Sequence, residues 1–311
     1  MTLTNSNWDD FPGFLKLPYH PDASNLNLGV FHRDELKVRG LSTDYRIRKA
    51  LKSGKLIRLG RGYYAVPGAN QDVAAAVAAG RRIGCLSACK LYGIWVPPDS
   101  GIHHLMSVGA KAPKNRAKSN NLRDAGERNR LYVHRLPALG KEIVPSLVES
   151  LRQVCRFHDA ETGLIVLESA LNQGLIGRVD MPEIICTASV EKQRILRRAN
   201  GRSESGSETR LKNFFESLGV KVEQQVRIPG VGRVDMLIGL SQILECDSHA
   251  FHSKAYDYHR DRQRDLIAST LGYHTARLSY RHVWETWPQT QDYLHKIIRT
   301  RRHMKPPKPL R

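Results

Sequence analysis

The feature that most constrains this chain is a pair of short apolar runs that carry acidic residues. Residues 233–238 (RVDMLI) contain Asp235, and residues 243–247 (ILECD) contain Glu245 and Asp247. Two such runs separated by a polar turn predict neighbouring strands of one sheet. An acid in a strand is costly to bury unless it has a partner or a metal. Each acid alone is typical of a strand edge or turn, but their clustering favours a functional site.

The expected strand pairing brings these acids together. Asp235 approaches Glu245 if the strands pair, and the two-residue period of a strand places Asp247 on the face of Glu245. Converging carboxylates suit a hard divalent cation, most naturally Mg²⁺. His249 and His252 follow directly and are candidates for proton transfer.

The order of these residues resembles the Vsr-like nucleases, within the PD-(D/E)XK, restriction-endonuclease-like superfamily. The resemblance covers about residues 203–285 and is carried by the following segments: Arg233-Val234-Asp235, Glu245-x-Asp247, Phe251-His252, the DRQRD helix at 261–265, and Leu271-Gly272-Tyr273. It implies a magnesium-dependent DNA endonuclease. In that role Asp235 and Glu245 hold the metal, Asp247 supports them, and His252 moves a proton.

The chain departs from the superfamily pattern at two positions, and the resemblance also gives a role to Glu208. Asp247 stands where the superfamily usually has Lys, but Vsr-type relatives also lack that Lys and are thought to use histidine. Ser248 stands where Gly is common. The resemblance also implies that Glu208, on the first helix of the domain, leans into the metal site. A Glu in a first helical turn also has a local reason to be there, because the helix dipole favours it.

The charge of the chain favours a polyanionic partner. Its 311 residues include 49 Lys and Arg against 30 Asp and Glu, a formal net charge of +19. Such a surplus supplies phosphate affinity through counterion release. No apolar run approaches the ~20 residues of a membrane span, the first residues lack a signal-peptide pattern, and the five cysteines have no disulfide or zinc spacing. We therefore expect DNA rather than a membrane as the partner, and a cytoplasmic location.

The N-terminal part has the pattern of a winged helix-turn-helix. We expect a short helix beginning at residue 30, a second helix over 44–53 capped by Ser42 or Thr43, and a hairpin whose strands flank Gly60-Arg61-Gly62. Residues 33–61 hold ten Lys or Arg and three acids. The expected DNA-contacting residues lie on the second helix and the wing: Arg46, Arg48, Lys49, Lys52, Arg58 and Arg61.

This region also resembles the N-terminal domain of AbiEi-type antitoxins, over about residues 28–68. The resembling segments are the helix of 42–52, Gly54-Lys55-Leu56 and Arg61-Gly62-Tyr63-Tyr64. The alternative is a winged helix that only mediates protein contacts.

These patterns predict an α/β (α+β) chain. Its expected parts are a loose arm (1–24), a winged-helix domain (25–98), a mixed connecting domain (99–200), a restriction-endonuclease-like mixed sheet flanked by helices (201–290), and the end of a helix with a disordered basic tail (291–311). Strands are expected near 102–108 and 131–135, and a helix over 181–199.

The leading functional prediction is metal-dependent cleavage of DNA phosphodiester bonds. The alternative is an AbiEi-like antitoxin or transcriptional regulator with an inactive nuclease-like domain. A third reading is a nuclease for RNA or repair structures. The acids discriminate between the first two, because a degraded domain would be expected to lose some of them. A toxin or repair partner and the oligomeric state stay open.

Overall fold

The chain folds into two compact units of mixed helix and sheet, as the sequence predicts. A computed structural model describes residues 28–98, 102–107, 130–134, 142–247 and 255–310. The first unit comprises Met1–Gly93 and Asp99–Phe157, and the second comprises Ile94–Pro98 and His158–Arg311. The region expected as one connecting domain, 99–200, is thus divided between the two units. No helix in the described ranges is long and apolar enough to cross a membrane.

The first unit begins with the winged helix. Its elements are β1 (Val30–His32), α1 (Arg33–Val38), α2 (Asp44–Lys52), β2 (Ile57–Gly60) and β3 (Tyr63–Ala65). The strands form an antiparallel sheet in the order β1-β3-β2. One expectation is corrected, since the first helix begins at Arg33 and not at residue 30. The three preceding residues form a strand because they pair with β3.

Local sequence explains the second helix of the winged helix. Thr43 is the N-cap of α2, and its hydroxyl accepts a hydrogen bond from the Arg46 N–H at 3.3 Å. The apolar side of α2 packs into a small core whose buried members are Phe31, Leu36, Leu41, Ile47, Ala50, Leu56 and Tyr64. The apolar side is thus used internally, and the charged side faces solvent.

The rest of the first unit contains a second small sheet. Its elements are α3 (Gln71–Ala78), β4 (Arg81–Ile83), α4 (Cys85–Leu91), β5 (Ile102–Ser107), β6 (Arg130–His134) and α5 (Leu147–Phe157). β4 pairs antiparallel with β5, and β5 pairs parallel with β6. Both strands expected in this region are confirmed.

The second unit begins with four helices, α6 (Ala160–Asn172), α7 (Met181–Ile185), α8 (Val190–Leu196) and α9 (Gly206–Ser217). The single helix expected over 181–199 is wrong, because Ser189 caps a new helix there. A buried ion pair joins α6 to α9, with Lys212 Nζ 2.8 Å from Glu168 Oε1. The ammonium also donates to the Arg198 carbonyl at 2.8 Å, and Glu168 accepts from the Gly201 N–H at 2.5 Å.

A four-stranded mixed sheet follows, flanked by helices as expected. Its strands are β7 (Val222–Ile228), β8 (Gly232–Ile238), β9 (Gln242–Asp247) and β10 (His274–Ser279), and the accompanying helices are α10 (Ala255–Thr270), α11 (Tyr280–Trp284) and α12 (Trp287–Arg299). The order is β10-β9-β8-β7, with β9 and β10 parallel and the other pairs antiparallel. The neighbours Ile243 and Leu244 belong to different apolar clusters. The sheet therefore buries both of its faces.

The C-terminal tail corrects another expectation. The tail from Arg299 to Arg311 is predicted to be disordered, but residues 300–310 lie against the second unit and include a short 3-10 helix, Arg302–Met304. The Leu240 N–H donates to the His303 carbonyl at 2.7 Å, and the Leu310 N–H donates to the Thr270 carbonyl at 2.8 Å. Long-range backbone bonds of this kind leave no periodic signal in a sequence.

Candidate nucleic-acid interface and carboxylate cluster

The winged helix presents a cationic surface. All six expected DNA-contacting residues are exposed: Arg46, Arg48, Lys49 and Lys52 on α2, and Arg58 and Arg61 on the wing. Beside them Tyr45, in the first turn of α2, is 71 % exposed. An exposed aromatic among cations suits contact with base edges or sugars better than it suits free solvent.

Two of the arginines on α2 are oriented by their own backbone. Arg46 Nη1 donates to the Gly40 carbonyl at 2.9 Å, and Arg48 Nε donates to the Asp44 carbonyl at 3.3 Å. A salt bridge between Arg33 and Asp44 connects the start of α1 to the start of α2. The salt bridge joins the two helices, and the other two bonds restrain Arg46 and Arg48 against nearby carbonyls.

The two acids of the C-terminal strands meet where the β8–β9 ladder ends. Backbone pairing runs from Ile238↔Gln242 to Met236↔Leu244. The next N–H, that of Cys246, donates at 2.8 Å to Asp235 Oδ2 instead of to a carbonyl. Asp235 and Glu245 lie close enough that each perturbs the pKa of the other. The predicted approach of these two acids is therefore confirmed.

Glu208 joins this pair from the first turn of α9. The hydroxyl of Ser205, the N-cap, accepts from the Glu208 N–H at 3.1 Å and lies 2.9 Å from Glu208 Oε1. Glu208 Oε2 accepts from the Glu204 N–H and from Gln225 Nε2, both at 3.0 Å. Only 4 % of Glu208 is exposed. We call Glu208, Asp235 and Glu245 the carboxylate cluster.

The carboxylate cluster carries more negative charge than its surroundings neutralise. Burial and repulsion from the nearby Asp235 raise the pKa of Glu208 to about 7 against the opposing hydrogen bonds. Burial, followed by repulsion from Asp235, raises the pKa of Glu245 to about 7. Burial likewise raises the pKa of Asp235. Groups in this condition take up a proton or a cation near neutral pH.

Asp247 is more exposed than the members of the carboxylate cluster. Its side chain is 55 % exposed and lies 3.4 Å from Arg277 Nη1. Arg277 also pairs with Asp265 at 2.9 Å, and Arg264 Nη2 lies 3.2 Å from Glu245 Oε1. Gln225, Arg264 and Arg277 were not predicted as neighbours of the acids. The position of Arg277 inside the short strand β10 is the sequence signal that could have indicated it.

The donor set of the carboxylate cluster determines which metal it fits. In the ranges the structure describes, no group of three or more His, Cys, Asp or Glu side chains has the arrangement to hold a metal. Mg²⁺ needs fewer protein ligands, because it keeps water and is usually bound by one or two carboxylates plus phosphate oxygens. The Asp235–Glu245 pair fits that requirement. His252 lies within residues 248–254, outside the described residues.

Comparison with known proteins finds a family that is similar to the winged helix. The family described as "Transcriptional regulator, AbiEi antitoxin" matches residues 24–67, a stretch that ends with the wing. No curated protein matches the chain. A crystal structure of the RV2827C protein from Mycobacterium tuberculosis is similar at 18 % identity over 58 % of this chain and 69 % of that chain, with a TM-score of 0.21.

Proposed function

We propose that the protein is a DNA-binding transcriptional regulator of the antitoxin type, which contacts duplex DNA through its winged helix. The observation that carries the proposal is the division of α2 into two sides. One side is buried in the core of the winged helix, and the other exposes four cations and Tyr45. The match of residues 24–67 to antitoxin-type regulators supports it.

The geometry of the winged helix suggests how the contact is made. The second helix of such motifs enters the major groove, while neighbouring elements contact the backbone. In this chain α2 is the inserted helix, with Tyr45 in the turn that approaches base edges. Lys49, Lys52 and the wing residues Arg58 and Arg61 neutralise phosphates, which fixes orientation without reading sequence.

The salt dependence of DNA binding tests the proposal. Each phosphate neutralised contributes about 0.9 to the slope of log affinity against log salt concentration. We expect Lys49→Gln with Lys52→Gln to reduce that slope by about 2, measured by fluorescence anisotropy on a 30-base-pair duplex at several salt concentrations. Lys221→Gln, which removes an exposed Lys paired with Glu223 in the second unit, is the matched control. An unchanged slope in the double variant would leave the winged helix as a protein-contact module.

The regulatory half of the proposal needs a separate measurement. An antitoxin-type regulator binds DNA upstream of its own coding region more tightly than unrelated DNA. We expect a preference of at least about 10³-fold, within the usual range for specific binding. Equal affinity for both duplexes would retain DNA binding but exclude self-regulation. Co-purification with the product of a neighbouring gene tests for a toxin partner.

We propose as a second candidate that the second unit is a magnesium-dependent, Vsr-like DNA endonuclease. The specific observation that favours it is the convergence of two buried carboxylates, Glu208 and Glu245, with the half-buried Asp235 at the end of the β8–β9 ladder, all three with raised pKa values. Asp235 and Glu245 would hold the ion, and Glu208 would support them. When bound, Mg²⁺ polarises the phosphoryl oxygen and stabilises developing negative charge. Arg264 orients Glu245, Asp247 helps to orient water, and His252 is the proposed proton carrier.

Plasmid nicking with and without Mg²⁺ tests this second candidate. Asp235→Asn should abolish nicking and weaken Mg²⁺ binding in calorimetry, because it removes a ligand charge. His252→Ala should lower nicking by ~10²–10⁴ with Mg²⁺ affinity nearly unchanged, the usual contribution of a general acid or base. Asp292→Asn, at an exposed acid of α12, is the control. If Asp235→Asn nicks as fast as the unmodified protein, the carboxylate cluster is not catalytic.

A further inference from the structure

We propose that residues 300–310, here called the C-terminal strap, form a fixed cationic surface that binds the phosphate backbone of duplex DNA. This extends the proposed DNA-binding function from the winged helix to the second unit. The surface uses no residue of the winged helix or of the carboxylate cluster. An experiment can therefore refute the proposal for the strap, the winged helix or the carboxylate cluster without refuting the other two.

Hydrogen bonds to two loops of the second unit hold the C-terminal strap in place. In the loop between β8 and β9, the Leu240 N–H donates to the His303 carbonyl at 2.7 Å, and the Ser241 hydroxyl donates to the Arg302 carbonyl at 3.0 Å. In the turn after α10, the Thr270 carbonyl accepts from the Leu310 N–H at 2.8 Å. The His303 side chain is buried beneath the strap, with 4 % of the residue exposed. The strap is therefore attached near both of its ends.

Two glycines allow this close approach. A Cβ at Gly239 would lie 2.3 Å from the His303 carbonyl oxygen, and a Cβ at Gly272 would lie 2.3 Å from both N and O of Lys308. Both glycines have positive φ, 62° and 88°. The backbone of the strap thus rests where any larger residue would push it away, which makes its position dependent on these two sites.

The charge of the C-terminal strap is entirely positive. Arg301, Arg302, Lys305 and Lys308 are exposed, and the strap contains no acid. Within the described ranges, none of these four side chains forms a salt bridge. Pro306, Pro307 and Pro309 restrict the backbone between and after the two lysines. Cations held on a restrained backbone lose less conformational entropy on binding than cations of a free tail.

A polar groove lies along α10 and β10 of the second unit. It has a volume of about 460 Å³ and is lined by Arg262, Asp265, Ser269, Tyr273, His274, Thr275 and Arg277. Tyr273, one of its lining residues, directly follows Gly272, the residue against which Lys308 rests. Hydroxyl and guanidinium donors are the groups that bind phosphate oxygens. Both arginines of the groove pair with Asp265, so the groove adds hydroxyl donors while the cations of the strap supply the charge.

DNA fits this surface better than an anionic membrane does. The strap exposes two large apolar side chains, Met304 at 62 % and Leu310 at 71 %, on a Pro-containing segment whose helix spans three residues. Membrane-surface binding by a basic segment usually relies on an amphipathic helix with a continuous apolar face. Phosphates of duplex DNA require only correctly spaced cations and donors.

Neutralising the strap tests for DNA contact. The variant with Arg301, Arg302, Lys305 and Lys308 all changed to Gln should reduce the slope of log affinity against log salt by about 2–4, at ~0.9 per phosphate. Its effect should add to that of Lys49→Gln with Lys52→Gln. An unchanged slope in the strap variant overturns the proposal, whatever the winged-helix variant does. The proposal is also overturned if the unmodified protein binds phosphatidylserine vesicles and the strap variant loses that binding but keeps the salt slope of DNA binding.

A second pair of variants tests whether the fixed geometry matters. Gly272→Ala keeps every charge but displaces the strap. Gly219→Ala places the same residue at a similar φ of 72° with nothing within 4 Å, so it controls for backbone strain. We expect Gly272→Ala to weaken DNA binding about 5-fold at 150 mM salt, and Gly219→Ala to leave it unchanged. If the two variants bind DNA equally well and unfold at the same temperature, the cations act as a loose tail. That result would overturn the proposal of a fixed surface.

Discussion

The carboxylate cluster should make the stability of the second unit depend on pH, and a substitution at Glu208 measures how much that residue contributes. The pKa of Glu208 is raised by burial from about 4.5 to about 7 in the folded protein. The folded state therefore holds a proton on Glu208 more tightly than the unfolded state does. The resulting stabilisation is complete below about pH 4.5, declines as the pH rises, and is gone above about pH 7.

The size of the effect follows from the shift. A change of about 2.5 pKa units, at ~1.36 kcal/mol per unit, corresponds to roughly 3 kcal/mol in full, of which about 2–3 kcal/mol falls between pH 5 and pH 8. For a unit of this size that corresponds to a fall in melting temperature of roughly 5–10 °C. Glu208→Gln removes the titrating group, retains an amide oxygen for the Glu204 and Gln225 donors, and should flatten the profile by this amount.

Thermal unfolding at pH 5 and pH 8 measures the difference. Glu285→Gln, at an exposed acid on the same unit, should leave the pH profile as it is in the unmodified protein. If a cation replaces the protons, adding Mg²⁺ should raise the melting temperature at pH 8 more than at pH 5. Asp235→Asn should reduce that response. If Glu208→Gln and the unmodified protein lose the same stability between pH 5 and pH 8, the carboxylate cluster is not electrostatically strained.

Two further predictions concern the packing of the second unit. Lys212→Met should destabilise it by about 3–5 kcal/mol in urea unfolding, because Glu168 would stay buried without its partner. Adding Glu168→Leu should recover much of the lost free energy of unfolding. A loss under about 1 kcal/mol for Lys212→Met would contradict the burial of the pair. Gly206→Ala should lower the melting temperature because its Cβ would lie 2.0 Å from the ring of Trp95, and Trp95→Leu should relieve the loss. Equal melting temperatures for Gly206→Ala and the unmodified protein would show that the ring moves freely.

Local sequence predicted most of the winged helix and the strands of the C-terminal sheet. The cap at Thr43, the apolar period of α2 and the Gly60-Arg61-Gly62 turn are all local signals, and each element they predict is present. Strand β1 was missed because three residues carry no period of their own. They become a strand through pairing with β3, whose residues lie more than 30 positions later.

The approach of Asp235 to Glu245 was also predictable, because hairpin register follows from the two-residue period of strands and the length of the turn. His252 stays a prediction. The tertiary structure alone decided which groups surround the acids. Glu208 arrives from another helix with Gln225 as its donor, and Arg264 reaches Glu245 across 19 positions of sequence. Such contacts depend on how elements pack, which no local pattern encodes.

The C-terminal strap shows the same division most clearly. Its composition, basic and Pro-containing without periodicity, is typical of disorder, and composition determines its charge and its exposure. Its order comes from backbone hydrogen bonds to Leu240 and Thr270 and from the space left by Gly239 and Gly272. Those partners lie 36 to 64 positions away from the strap residues they contact. Sequence thus determined what the strap could bind, and tertiary packing decided that it is held in one place to do so.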